Sequence, residues 1–328
     1  MNAIIELGIA IILFLQGLGE WLAGPLKLIT MTGNEEFYLF FAPAIYWCFD
    51  AAIGMRVGLA LMVSGITNSI LKLAMQGPRP YWVDSRVIPY SYETSFGVPS
   101  GHSQNAVVVW GRLAAELRVR WFWAAAIILM ILIGFSRMYL GVHFPHDVLL
   151  GWAFGALVLW ALLALEKPVL AWLNKRPLTE QILYTLAASL AMILVGALIR
   201  LALDGWTVPA EWVKLAEAAP GSKAIEPLAL SGLVSNAGAF FGLALGGLMI
   251  KAQGGFYAGG AAWKRLARFL VGLAGVFLLW FGLGEIFPRG ETLIPFILRY
   301  LRYGLLGVWI TGLAPMLFFR LKLADHTK

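Results

Sequence analysis

The chain has 328 residues, 60% hydrophobic and 13% charged, with a mean hydropathy of +0.78. Soluble domains carry nearer a quarter charged residues, so this excess of apolar side chains calls for a solvent other than water. The net charge of +7 comes from basic residues scattered between apolar blocks, with no polybasic tract, which argues against nucleic acid as a partner. The single cysteine, Cys48, excludes an intramolecular disulfide. The first basic residue is Lys27, so the positive n-region of a signal peptide is missing.

In chain order, residues 3–23 come first. They carry Glu6, Gln16 and Glu20, and Trp21 suits an interface, so we expect a helix lying on the membrane, with a true span as the alternative. Nine apolar blocks of spanning length follow, at 36–54, 57–76, 102–117, 121–139, 146–166, 179–202, 231–250, 266–287 and 296–319. The expected fold class is all-α: a polytopic membrane bundle of about nine transmembrane helices with an N-terminal interfacial helix. Gly151 and Gly155, and Gly238, Gly242 and Gly246, recur every four residues, a spacing that lets helices approach closely. The longest hydrophilic stretch, 203–230, is too short for a separate soluble domain.

The loops alternate in charge. One side holds Arg56, Arg118, Arg120, Lys167, Lys175, Arg176, Lys251, Lys264, Arg265, Arg268, Arg320, Lys322 and Lys328. The other, outside the three segments described next, has only Lys27, Arg86, Lys214, Lys223 and Arg289. The positive-inside rule makes the first side and the C-terminus cytoplasmic, so loops 77–101 and 140–145 face outward or into a lumen.

Three segments on that outward side concentrate polar residues that a membrane protein otherwise avoids: Lys72 with Arg79 and Pro80, Pro99-Ser100-Gly101-His102, and Ser136-Arg137 followed by His143 and Asp147. Each falls at the same end of its helix, so they can converge. Lys72, Arg79 and Arg137 bring three positive charges together without a local carboxylate excess, and an anion would relieve their repulsion. Ser100 and Gly101 open a helix, where backbone N–H groups and the dipole favour an anion. Pro145 reads as a first-turn proline, which puts His143 just before a helix and within reach of Asp147. That carboxylate can fix the imidazole tautomer. Around a bound phosphate ester, His143 is assigned attack on phosphorus and His102 protonation of the leaving oxygen, while the cations stabilise charge on the equatorial oxygens.

The segments resemble the signature of the type-2 phosphatidic-acid phosphatase and vanadium haloperoxidase superfamily: Lys-x6-Arg-Pro, Pro-Ser-Gly-His and Ser-Arg-x5-His-x3-Asp. Lys72, Arg79, Pro80, Pro99, Ser100, Gly101, His102, Ser136, Arg137, His143 and Asp147 match every defining position, within residues 72–147. The resemblance implies the same roles for His143 as nucleophile and His102 as acid. GPRPYW, SRMYLGVHFPHD, PAEWV and the Gly-rich seventh span are also similar to the layout of glucose-6-phosphatase and sphingosine-phosphate phosphatases. Asp147 follows the general pattern where glucose-6-phosphatase carries a glutamine, which puts a carry-over of sugar specificity in doubt.

Residues 1–30 are then expected to form the interfacial helix, 31–170 the catalytic core and 171–328 additional membrane helices. The expected function is a metal-independent phosphatase, working through a phosphohistidine on a lipid or isoprenoid phosphate or diphosphate. Soluble phosphate esters, a sugar phosphate among them, are the alternative; vanadate-dependent halide oxidation and non-hydrolytic transport of phosphorylated compounds are rivals. Membrane lipids are expected partners, and no cofactor or metal is expected. His146 neighbours His143 and Asp147, but Lys72, Arg79 and Arg137 would repel a divalent cation there. Arg112 and Glu116, four apart on one helix, are expected to pair.

Overall fold

A computed structural model describes residues 3–218 and 221–327. Lys328, counted above among the basic residues, lies outside the described residues. Regular structure among them is helical, apart from an isolated bridge between Tyr257 and Asp325. In chain order the helices are α1 (Ala3–Gln16), α2 (Ala23–Met31), α3 (Glu35–Cys48), α4 (Ala51–Met75), the short α5 (Pro80–Val83), α6 (Gly101–Leu117), α7 (Arg120–Tyr139), α8 (Pro145–Leu173), α9 (Leu178–Ala202), α10 (Ala210–Ala218), α11 (Ser231–Ala252), α12 (Ala262–Phe277), α13 (Leu283–Ile286), α14 (Leu293–Val308) and α15 (Ala314–Arg320). Among the described residues, seven helical segments are long and apolar enough to cross a membrane, or eight if the bent pair α1 and α2 counts as one. The remaining two expected spans are the 14-residue α3 and the 17-residue α6.

Two boundaries move for local reasons. The expected break near 54–57 falls instead at Phe49–Asp50, because Asp50 Oδ1 accepts from Ile53 N at 2.9 Å and caps α4. Arg56 therefore lies inside α4, not in a loop, and pairs with Glu166 at 2.7 Å. At the N-terminus the helix expected over 3–23 ends at Gln16, and the following helical stretch turns by 89°.

The chain divides into two compact units. The first holds residues up to Phe37, Thr67–Trp160 and Gly196–Ala229. Its core packs α1 residues Ile9 and Ile12 with Trp82, Tyr139, Val142 and Phe144. Trp206 and Trp212, from the hydrophilic stretch after α9, pack on Phe96 and Trp82 with ring centroids 5.6 and 6.1 Å apart. α8 lies directly on α6. A Cβ on Gly151 would sit 2.6 Å from the Ser100 carbonyl oxygen, and one on Gly155 2.8 Å from that of Gln104. The expected close approach is real, and only glycine permits it. Arg112 pairs with Glu116 at 2.7 Å, as their spacing predicts.

The second unit holds Tyr38–Ile66, Ala161–Val195 and the described residues from Leu230 onward. The glycine stripe of α11 faces α14: a Cβ on Gly238 would lie 2.5 Å from the Tyr300 carbonyl, and one on Gly242 would collide with that of Gly304. Tyr46 and Trp47 donate to the carbonyls of Thr311 and Ile310, at 2.9 and 2.8 Å, in the π-helical turn Trp309–Leu313. Arg268, expected on a basic surface, is instead fully buried and donates to the Tyr257, Ala258 and Gly259 carbonyls. It ties the loop 257–259 down by donating to three successive carbonyls.

Candidate active site

All the polar residues singled out in the three segments lie in the first unit. Lys72 comes from the last turn of α4 and donates to Ser95 Oγ at 2.8 Å. Arg79 is the extended residue immediately before α5 and is completely buried. Its five N–H donors all find partners. Nε reaches the Ser95 carbonyl at 2.7 Å; Nη2 reaches Ser95 Oγ at 3.2 Å and the Phe96 carbonyl at 3.1 Å. Nη1 reaches the Val142 carbonyl at 3.0 Å and His143 Nε2 at 3.3 Å. Arg79 thus braces the 93–96 loop against the segment before α8.

His143 is 1% exposed and sits between two fixed groups. Its Nδ1 lies 3.3 Å from Asp147 Oδ2, which also accepts from Phe144 N at 2.9 Å in the first turn of α8. An arginine can only donate, so Nε2 must be the acceptor toward Arg79, and Nδ1 carries the proton toward Asp147. The ring therefore holds its lone pair on Nε2, toward the cations, where it accepts from Arg79 Nη1. Burial, then Arg79, Arg137 and Lys72, keep the His143 pKa well below the ordinary imidazole value, so the ring is neutral at neutral pH. His146 Nε2 lies 3.1 Å from the other Asp147 oxygen, and its ring stacks on Phe144. Among the described residues, no three His, Cys, Asp or Glu side chains are grouped to hold a metal ion.

Ser100 caps α6, its Oγ accepting from Ser103 N and Oγ at 3.4 and 3.0 Å. Its own N–H donates to the Asp147 carbonyl at 2.9 Å. The expectation that this N–H faces an anion is therefore corrected: it ties α6 to α8 instead. Gly101, in the first turn, has no intrahelical acceptor for its N–H and keeps that possibility. His102 Nε2 lies 2.8 Å from Asn34 Oδ1. Ser136 donates to the Ile133 carbonyl of its own helix at 2.6 Å, away from the site. Arg137 closes α7; Nη1 donates to Thr30 Oγ1 at 3.2 Å and Nη2 to Glu93 Oε1.

Glu93 is the main departure from the sequence reading, which placed no carboxylate among the three cations. It pairs with Arg137 and lies 3.9 Å from Arg79 Nη2. Burial alone would raise its pKa, but Arg79, Arg137, His102 and Lys72 outweigh that and hold it well below the usual carboxylate range. Asn34, Asn68 and Ser95 were also missed. Asn68 donates to the Pro99 carbonyl and to Gln104 Oε1, at 3.3 and 3.0 Å, and so holds the Pro-Ser-Gly-His turn. Asn68 lies four residues before Lys72 on α4, one turn away on the same face, which is the one available sequence signal.

Residues 53–171 match the PAP2 superfamily, and residues 234–326 match the PAP2 superfamily phosphatase transmembrane extension. The chain belongs to the PAP2 superfamily. It is an integral membrane protein. Human glucose-6-phosphatase 3 is 31% identical over 189 residues, 49% of this chain and 53% of that protein. Undecaprenyl-diphosphatase of Sulfolobus acidocaldarius is 30% identical over 106 residues, 32% of this chain and 50% of that protein. Phosphatidylglycerophosphatase B of Bacillus subtilis is 28% identical over 162 residues, 45% of this chain and 77% of that protein. This PAP2 chain thus spans about half the length of the first two relatives. The PAP2 match contains every residue of the cluster except Thr30 and Asn34, which come from the N-terminal segment.

Proposed function

We propose that this PAP2 protein is a membrane phosphatase that cleaves a phosphate ester or diphosphate through a phosphohistidine. The observation that carries this is His143, neutral and held between Asp147 and Arg79 with its lone pair on Nε2. Nε2 attacks phosphorus, the bond from phosphorus to the leaving oxygen breaks, and His102 supplies the proton that oxygen takes. Water then attacks the phosphohistidine, the P–N bond breaks, and His102 recovers a proton. Lys72, Arg79 and Arg137, with the Gly101 N–H, stabilise the charge spread over the phosphoryl oxygens. A pure transporter has no use for the His143–Asp147 pair.

The substrate falls among the classes named for the relatives: sugar phosphate, lipid phosphate or isoprenoid diphosphate. A site at headgroup depth favours a lipid or isoprenoid; a soluble sugar phosphate is the second reading, favoured by the human relative. The charge asymmetry of the loops favours a site facing away from the cytoplasm. Residues 31–170 are proposed as the catalytic core, with Thr30 lent to it from before that boundary. Phosphate release from purified protein in detergent, screened over the three substrate classes with His143→Ala as control, tests this. Equal release by the control would overturn the nucleophile assignment.

A further inference from the structure

We propose that Glu93 is a specificity-determining counter-charge that matches the site to a phosphate monoester and disfavours a diphosphate. This rests on the phosphatase reading. With substrate bound and the proton for the leaving group in place, His102 is positive alongside Lys72, Arg79 and Arg137; among the described residues, Glu93 and Asp147 are the carboxylates that act on Lys72. Four positive groups against two negative ones leave two positive charges. A phosphate monoester carries about −1.5 to −2 at neutral pH, which balances them. A diphosphate ester carries one more negative charge, and would suit a site without Glu93.

The carboxylate is not a plug waiting to swing aside. Tyr81 Oη donates to the Glu93 carbonyl at 2.9 Å and accepts from its N–H at 3.1 Å. The next residue, Thr94, accepts from Glu226 N at 3.0 Å, and Ser95 is held by Lys72 and Arg79. Both flanks of Glu93 are anchored, so its charge stays beside Arg137 when substrate enters. Its side chain keeps 28% exposure. Glu93 takes no proton and forms no bond in the reaction; it acts through Arg137 and Arg79.

The test compares wild-type protein with Glu93→Gln and Glu93→Asp in detergent. The readouts are kcat/KM for a phosphate monoester and for a diphosphate of the same alcohol, and inhibition by inorganic phosphate. Gln keeps an acceptor for Arg137 but drops the charge. Glu93→Gln should raise the diphosphate-to-monoester ratio at least tenfold and tighten phosphate inhibition by a similar factor, lowering monoester KM and kcat together as product leaves more slowly. Glu93→Asp should hold the wild-type ratio within threefold. A ratio unchanged or lowered in Glu93→Gln, with phosphate binding weakened, overturns the proposal, because a merely structural role predicts loss on both substrates alike. Should Glu93→Gln fail to fold, Tyr81→Phe, which loosens the anchor, must shift the ratio the same way or the proposal falls. If wild-type protein releases phosphate from neither ester, yet phosphate binds more tightly to Glu93→Gln, the phosphatase reading fails and the counter-charge stands.

Discussion

The approach of α8 to α6 fixes where His143 and Asp147 stand relative to the Pro-Ser-Gly-His turn, and Gly151 controls that approach. A Cβ at Gly151 would lie 2.6 Å from the Ser100 carbonyl oxygen and 2.9 Å from Ser103 Cβ, where ordinary contact begins at 3.4 Å. In Gly151→Ala, α8 must retreat by about 0.8 Å, since close-packed interiors offer no slack. Asp147 lies one turn away on the same helix, and the Ser100 N–H to Asp147 carbonyl bond of 2.9 Å transmits the shift. Misplacement of about 1 Å costs of order 10²-fold in rate, so kcat/KM should fall by roughly that factor. Stability should change far less: overpacking costs about 1–3 kcal/mol, and replacing a helical glycine returns up to about 1 kcal/mol. The control is Gly282→Ala, a helical position (φ −58°, ψ −51°) with nothing within 4 Å of the new Cβ. It should leave activity unchanged and hold or raise the melting temperature. Phosphate release and thermal unfolding in detergent read both quantities. If Gly151→Ala keeps kcat/KM within twofold of wild type, the two helices do not set the geometry of the site and the reasoning fails.

Other outcomes follow from the same contacts. His143→Ala should abolish the acid-labile phosphoenzyme trapped by rapid quench, whereas His102→Ala should still form it from an ester with a good leaving group. His102→Ala should lose about 10²–10⁴-fold on an alkyl phosphate and much less on a nitrophenyl ester, because general-acid help matters only for a poor leaving group. The lowered His143 pKa puts the acid limb of kcat/KM below pH ~6.5, the ordinary imidazole value, and a limb above that value refutes the neutral resting ring. Stability should move with pH in the same sense. The depressed pKa values of Glu93 and His143 mean that the unfolded chain binds protons first, so the melting temperature falls as pH drops below about 6.5, and again below about 4.3. Glu93→Gln should flatten the lower of these steps. EDTA should leave phosphate release unchanged, since Lys72, Arg79 and Arg137 already supply the positive charge; a loss restored by a divalent metal would contradict that assignment.

How much of this was legible in the sequence depended on whether a signal was periodic. Apolar blocks of spanning length gave the helices, and glycines every fourth residue gave their close contacts, because both follow from one helix repeat. Fixed motif spacings gave Lys72, Arg79, His102, Arg137, His143 and Asp147. The helix break at Asp50 was missed because a cap is a single side-chain hydrogen bond inside an apolar run. Arg268 was counted as surface charge because sequence cannot reveal three carbonyls gathered around one guanidinium.

Glu93 was invisible for a related reason, and the consequence reaches the chemistry. It lies in a loop of 17 residues between α5 and α6, where no periodicity fixes which side chain faces the cations. Its position is set by contacts far along the chain: Tyr81 on its backbone, Glu226 on its neighbour, and Arg137 from α7 on its carboxylate. Counting only the cations, the sequence predicts a site that holds together through substrate alone. With Glu93 in place the charges are partly compensated before substrate arrives, so the empty site can be stably folded while still positive enough to draw in phosphate. Arg79 carries the same logic further. With all five donors engaged by the protein, it contributes a fixed charge and a fixed His143 ring at little reorganisation cost. The arginine that its motif marks as a phosphate clamp therefore serves first to hold the His143 ring in place.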